Sequence, residues 1–141
     1  MLILDTNLVF ELLRPSPEPR VVSWLAAQDG SDVYLTAISE AELRYGVAIL
    51  PAGRRRDALH AVLDAIIGED FESRILHFDS EAAVAYADIA ASRRASGRPI
   101  SQFDCQIAAI GRAHEATLAT RNTWDFSGCG IDVIDPWSHS T

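Results

Sequence analysis

Short apolar runs alternate along this chain with longer segments of helical spacing. Residues 2–4, 33–35, 74–76, 117–119 and 133–134 are compact, largely apolar runs bounded by turn formers, and they read as five strands. Between them, apolar residues recur at 21, 22, 25 and 26, and again at 58, 59, 62, 63, 66 and 67, which is the period of a helix with one buried face. The spacing predicts helices over 7–13, 20–27, 39–50, 54–67, 81–94 and 101–114. Pro15, the Asp29-Gly30-Ser31 break, Pro51 with Gly53, Gly68, and Gly97 with Pro99 supply the stops. Ser80 is the expected N-cap of the fifth helix, and Ser101 starts the sixth. Residues 39–67 would form a helical hairpin. Strands alternating with helices predict an α/β fold: a three-layer α/β/α sandwich around a central parallel β-sheet of about five strands. A chain of 141 residues is expected to form one domain, 1–141.

The first strand ends abruptly in Asp5-Thr6-Asn7. In parallel α/β sheets, ligands sit beyond the carboxyl ends of the strands, which places Asp5 and the turn from Thr120 to Asp125 at one edge. Glu42 and Asp104 lie near helix starts that face the same edge. Each acid has an ordinary structural explanation. Asp5 is a good helix N-cap. Ser39-Glu40-Ala41-Glu42 fits a capping box, and Ser101-Gln102-Phe103-Asp104 is a variant of one. Asp125, with Asn122 before it, suits a turn. Glu40 competes with Glu42, since two residues on a helix point about 200° apart. Glu42 shares its spacing with Tyr45, Gly46 and Ile49, whereas Glu40 pairs with Arg44 on what reads as the solvated side.

Taken together the acids are more telling. Two unit charges about 4 Å apart repel by about 4 kcal/mol at an effective dielectric near 20. A cluster of them is relieved by proton uptake or by a cation, and carboxylate oxygens are hard donors suited to Mg²⁺ or Mn²⁺. The implied chemistry is hydrolysis of a phosphate ester. His60, His77, His114 and His139 show no metal-binding spacing, and the chain has no glycine-rich phosphate loop.

Composition, 48% hydrophobic and 23% charged, is that of an ordinary globular protein. The formal charge of −8 argues against broad, nonspecific nucleic-acid binding. There is no lysine; Arg54–Arg56 read as a solvated helix surface, while Arg93, Arg94 and Arg98 form a second cluster, and a local phosphate-binding face stays open. Cys105 and Cys129 have neither metal nor redox spacing, which fits a reduced, cytoplasmic setting. No apolar stretch approaches the roughly 20 residues of a membrane span, and the start lacks a basic signal-peptide region, so no membrane association is expected.

Four segments resemble one family: Leu2-Ile3-Leu4-Asp5-Thr6-Asn7, Ser39-Glu40-Ala41-Glu42-Leu43-Arg44-Tyr45-Gly46, the stretch from Ile100 to Ala109 around Asp104, and Ala119-Thr120-Arg121-Asn122-Thr123-Trp124-Asp125-Phe126. In this order they are similar to PIN-domain ribonucleases, specifically VapC-type toxins of bacterial type II toxin–antitoxin modules and their FitB-like branch. The resemblance implies Mg²⁺-dependent endonucleolytic cleavage of RNA, with Mn²⁺ as a substitute. It carries over Asp5, Glu42, Asp104 and Asp125 as the acidic cluster and favours Glu42 over Glu40. Asp5 and Asp104 become the direct metal ligands. Thr6, Thr120 and Asn122 become supporting polar groups, with Asn122 the alternative to Asp125 as the completing residue. It further implies a homodimer, a cognate antitoxin whose tail covers the site, and operator DNA contact only through that complex. The 39–67 hairpin is the expected antitoxin surface. A Mg²⁺-dependent phosphatase is a competing reading, disfavoured because such enzymes rely on a lysine and, in one class, on a second Asp where Asn7 stands. A degenerate, partner-binding domain is the other.

Overall fold

The structure is a computed structural model and describes residues 1–140. Five strands form one parallel sheet: β1 (Leu2–Leu4), β2 (Val33–Thr36), β3 (Ile75–Leu76), β4 (Thr117–Ala119) and β5 (Asp132–Ile134), in spatial order β3-β2-β1-β4-β5. Six helices connect them: α1 (Thr6–Leu12), α2 (Pro19–Ala26), α3 (Ala37–Ala48), α4 (Arg54–Ala65), α5 (Ser80–Ala95) and α6 (Gln102–Ala113). Alternation along the strands explains the layers. Leu2 and Leu4 of β1, with Val33 and Leu35 of β2, face a core completed by Leu8, Val21, Trp24, Leu43 and Leu63 from α1 to α4. Ile3 and Leu118 face the other way, onto Ile89 of α5 and the run Ile107–Ile110 of α6. The result is the three-layer α/β/α sandwich that the alternating pattern predicts, with α1–α4 on one face and α5 and α6 on the other.

The strand order places a switch point between β1 and β4. From β1 the chain moves outward to β2 and then β3; from β4 it moves the opposite way, to β5. The register pairs Leu4 with Ala119, so the residues that follow, Asp5 and Thr120, emerge side by side at the crevice.

Element ends depart from the sequence reading where caps decide them. The third helix begins at Ala37 rather than at 39, because Thr36 is its N-cap and its hydroxyl accepts from the Ser39 amide at 3.1 Å. Ser39 therefore does not cap the helix, and no capping box occupies Glu42. The fifth helix is capped by Asp79, which accepts from the Ala82 amide at 3.0 Å, and Ser80 is its first residue. Ser101 caps α6 as expected, accepting from the Asp104 amide at 3.2 Å. Past Ala65 the chain continues through a π-helical turn, Ile66–Asp70, instead of stopping at Gly68. Three 3-10 turns, Gly30–Asp32, Thr123–Phe126 and Pro136–Ser138, arise in stretches the periodicity gave neither helix nor strand. Among the described residues no helix is long and apolar enough to cross a membrane.

Thr36 is fully buried, so its cap has no competing water. Thr36→Val keeps the shape and removes the acceptor. It is expected to lower the unfolding free energy by about 1–2 kcal/mol in a urea titration, with an unchanged m value. An unaltered midpoint would show that the cap does not hold the start of α3.

Candidate active site

Asp5 is the centre of the crevice. It is 5% exposed, and both carboxylate oxygens are engaged. Oδ1 accepts from the Thr6 amide at 2.8 Å, which also makes Asp5 the N-cap of α1. Oδ2 accepts from the Thr120 hydroxyl at 2.7 Å across the β1–β4 boundary. Thr120 is itself fully buried, and its hydroxyl accepts from the Asn122 amide at 3.1 Å. The Asp5 amide donates to the Ala119 carbonyl at 2.9 Å and so extends the strand pairing to the acid itself.

Glu42 approaches from α3. The Thr6 hydroxyl donates to its Oε1 at 2.8 Å and lies 2.9 Å from the Ser39 hydroxyl, which in turn sits 3.4 Å from Thr36. Thr36, Ser39 and Thr6 thus connect the end of β2 to the end of β1. Glu40 is spent elsewhere: it holds Arg44 at 2.8 Å, and Arg44 also reaches Asp64 on α4 at 2.8 Å. Glu42, not Glu40, is therefore the acid of α3 that meets the Asp5–Thr6 segment. The helix phase used to choose it is only partly right, since Gly46 packs toward Phe10 of α1 while Tyr45 and Ile49 point to solvent.

Burial pushes the Asp5 carboxyl up to about 6; the neighbouring charges of Asp104 and Glu42 add to this, against the opposing Thr120 and Thr6 hydrogen bonds. The half-buried Asp104 is also raised, first by burial and then by the charge of Asp125, and lowered by Ser101 and Arg93. Asp5 is thus within electrostatic reach of Asp104 and Glu42, and Asp104 within reach of Asp125. Asp125 and Asn122 lie on the exposed rim, and Asp5 is bonded to neither side chain. Among the described residues, no three acids, histidines or cysteines converge into a ready-made metal cage. The donor set nevertheless fits a hard divalent cation: oxygen only, with the two raised acids, Asp5 and Asp104, sharing a repulsion that a cation relieves.

Two contributors were not legible as site residues. One is Ser39, buried between Thr6 and Thr36. The other is Arg93, read as one of an arginine cluster left open between a solvated and a phosphate-binding face, but only 6% exposed. Its Nε donates to the Arg98 carbonyl at 2.7 Å, and its Nη1 reaches the carbonyls of Asp125 and Ser127 at 2.9 and 3.1 Å. It therefore clamps the loop that carries Asp125. The signal was present: Ala85, Ile89 and Arg93 continue one buried stripe at four-residue spacing on α5.

A buried acid oriented at a β1–β4 switch point, with further acids around it, defines a class of small acidic-cluster α/β proteins, and the comparisons place the chain within that class. The PIN domain signature matches residues 2–127. Toxin FitB of Neisseria gonorrhoeae is 44% identical over 137 residues, covering 97% of this chain and 99% of that one. VapC ribonuclease Y4jK of Sinorhizobium fredii is 41% identical over 137 residues, covering 97% and 98%. The solved structure of FitAB bound to an IR36 DNA fragment superposes with a TM-score of 0.94 at 41% identity, covering 100% of this chain and 99% of that one. The chain belongs to the PIN domain family, among its FitB- and VapC-type members.

The raised Asp5 pKa has a thermodynamic consequence. The unfolded side chain titrates near 3.8 and the folded one near 6. Between those values the folded protein keeps a proton that the unfolded chain has lost, so stability falls as pH rises through this window, and the cost persists above it. Asp5→Asn removes the titration. In chelator, the stability of the variant relative to the parent is expected to rise between pH 5 and pH 8 by about 1–3 kcal/mol, read from thermal melts. A difference independent of pH would contradict the burial penalty.

Proposed function

We propose that this protein is a Mg²⁺-dependent endoribonuclease and the toxin half of a type II toxin–antitoxin pair. The observation that carries the reading is the buried Asp5, held by Thr120 at the switch point with Glu42 and Asp104 around it. The VapC ribonuclease name of a relative 41% identical over nearly the whole chain supports the activity. Asp5 and Asp104 would hold the Mg²⁺, for which Mn²⁺ can substitute. When bound, the cation neutralises the acids and polarises the phosphodiester.

The remaining work falls to the chain itself. Thr120 and the Thr6 amide fix the rotation of the Asp5 carboxylate, a second-layer role of the kind that tunes a metal ligand. Thr6 fixes Glu42 so that its other oxygen, Oε2, is left to orient water or complete the cluster. Asp125, exposed and acting by its charge on Asp104, would close the cluster, and Asn122 is the alternative closing residue. No salt bridge among the described residues reaches any of these four acids, so their charge is left for a ligand.

The antitoxin would enter along a groove of about 870 Å³ between α1, α3 and α4. Phe10, Leu13, Val47, Leu50 and Leu59 make its walls apolar, and Arg14 and Arg55 stand among them. Asn7 lines the groove two residues from Asp5, and its side-chain oxygen is buried without a partner, an acceptor waiting for a donor. α3 and α4 are the hairpin expected from the sequence, joined here by α1. A homodimer and contact with operator DNA through the antitoxin complex complete the proposal, the latter by analogy with the DNA-bound FitAB assembly.

The antitoxin-free protein is expected to cleave a mixed RNA pool with Mg²⁺ and not with chelator. Asp5→Asn should abolish the activity, and Thr120→Val should reduce it about 10–100-fold. No cleavage and no Mn²⁺ binding by the folded protein would favour a binding module, while release of phosphate from monoesters without RNA cleavage would favour a phosphatase. For this surface, Ala58→Glu in the groove or Tyr45→Ala on the exposed side of α3 is expected to weaken antitoxin binding about tenfold or more, about 1.4 kcal/mol, in a calorimetric titration. Arg44 is a poorer probe, because its two ion pairs tie α3 to α4 and its reversal would disturb the hairpin itself. Unchanged affinity in both variants would move the antitoxin elsewhere.

A further inference from the structure

Trp124 is 71% exposed, the most exposed large hydrophobic side chain among the described residues, and it immediately precedes Asp125. It is not a stray core residue, since Phe126 two positions on fills that role at 1% exposure. Its placement is heavily specified. The Arg98 guanidinium lies 4.1 Å from the ring centroid, covering one face. The same guanidinium donates from Nη2 to the Trp124 carbonyl at 3.1 Å and from Nη1 to the Ser127 hydroxyl at 2.9 Å. The Ser127 amide donates to the Trp124 carbonyl at 3.2 Å, and Arg93 holds the flanking Asp125 and Ser127 carbonyls. The backbone is thus pinned while the second face of the ring stays open to solvent.

Its neighbours say what that face would take. Arg121, Asn122, Thr123 and Asp125 are all exposed, so the ring stands in a polar, charged surround instead of a continuous apolar patch. A protein partner would want the patch. A nucleobase wants an open, rigid π-face beside a cation, and in a chain of net charge −8 Arg98 stands directly against this ring, while Arg121 lies over the Trp137 ring instead. The other exposed aromatic beside a site acid, Phe103, directly precedes Asp104.

We propose that Trp124 is a stacking platform for an unpaired nucleobase of the RNA strand, next to the bond to be cut. This rests on the ribonuclease reading and adds to it the residue that holds a base beside the cleavage point. Stacking is tolerant of base identity, so the platform selects for an unpaired base over a paired one and leaves sequence preference to other contacts.

The test uses the full-length, antitoxin-free protein with short single-stranded oligoribonucleotides and a duplex of the same composition. With Mg²⁺, Trp124→Ala is expected to raise KM about 5–100-fold with kcat little changed, and Trp124→Phe to recover most of the loss. In chelator, tryptophan emission should be quenched by the single strand, and the quench should vanish in both variants. The duplex should quench and be cleaved far less than the single strand. An unchanged KM in Trp124→Ala, while Asp5→Asn abolishes cleavage, would overturn the platform and leave the ribonuclease standing. Trp124→Ala that weakens antitoxin binding or self-association at unchanged KM would make the ring a protein contact, also overturning it. A parent protein that neither binds nor cleaves RNA would remove both readings.

Discussion

The hydrogen bond from Thr120 to Asp5 is the contact on which the site depends. A carboxylate buried to 5% exposure is costly unless its oxygens are satisfied, and this one is satisfied across the seam between two strands. That requires β1 and β4 to be adjacent, parallel and in the register that pairs Leu4 with Ala119. A slip of one residue would turn Ile3 out of the α5–α6 core and carry Asp5 away from Thr120. Core packing on the two faces and the orientation of one acid are therefore the same constraint.

The deployment of arginine follows the same division. Arg14 satisfies the buried Glu11, and Arg44 joins Glu40 to Asp64. Arg93, the buried cation nearest the acids, spends its donors on backbone carbonyls instead of forming an ion pair with a site carboxylate. For Asp5, the one buried acid of the four at the site, an unpaired charge is among the costliest features a fold can keep. Acids held in place but left uncompensated mark where a ligand belongs.

How much of this could be seen in the chain before it folded depends on the range of the interaction concerned. Strand and helix existence is local, and the five strands and six helices follow from periodicity and stops. Helix starts are not, because several hydroxyls and acids compete for each cap: Thr36 displaced Ser39, and Asp79 displaced Ser80. Ser39 in α3 lost its local role and gained a distant one beside Thr6, a contact across 33 residues that spacing does not encode. Arg93 was hidden by composition, since it stands beside Arg94 and reads as surface although its phase continues a buried stripe. Asp5, Glu42, Asp104 and Asp125 were nameable because the resemblance covers four ordered segments. Their environment, including the buried and raised Asp5, was visible only in three dimensions.

The cap at Thr36 shows why a site of this kind needs three strands and not two. Capping sets where α3 starts, the start sets its rotational phase, and the phase aims Glu42 at the Thr6 hydroxyl. The end of β2 thus positions an acid that β1 and β4 alone could not supply. The same geometry separates two approaches to the acids. Asn7, two residues from Asp5, lines the apolar groove between α1, α3 and α4, whereas Trp124 stands on the loop after β4, immediately before Asp125. A tail lying in the groove and a strand stacked on Trp124 would use different residues of the fold. Inhibition by such a tail would then require it to engage the acids directly, because filling the groove alone leaves the Trp124 side open.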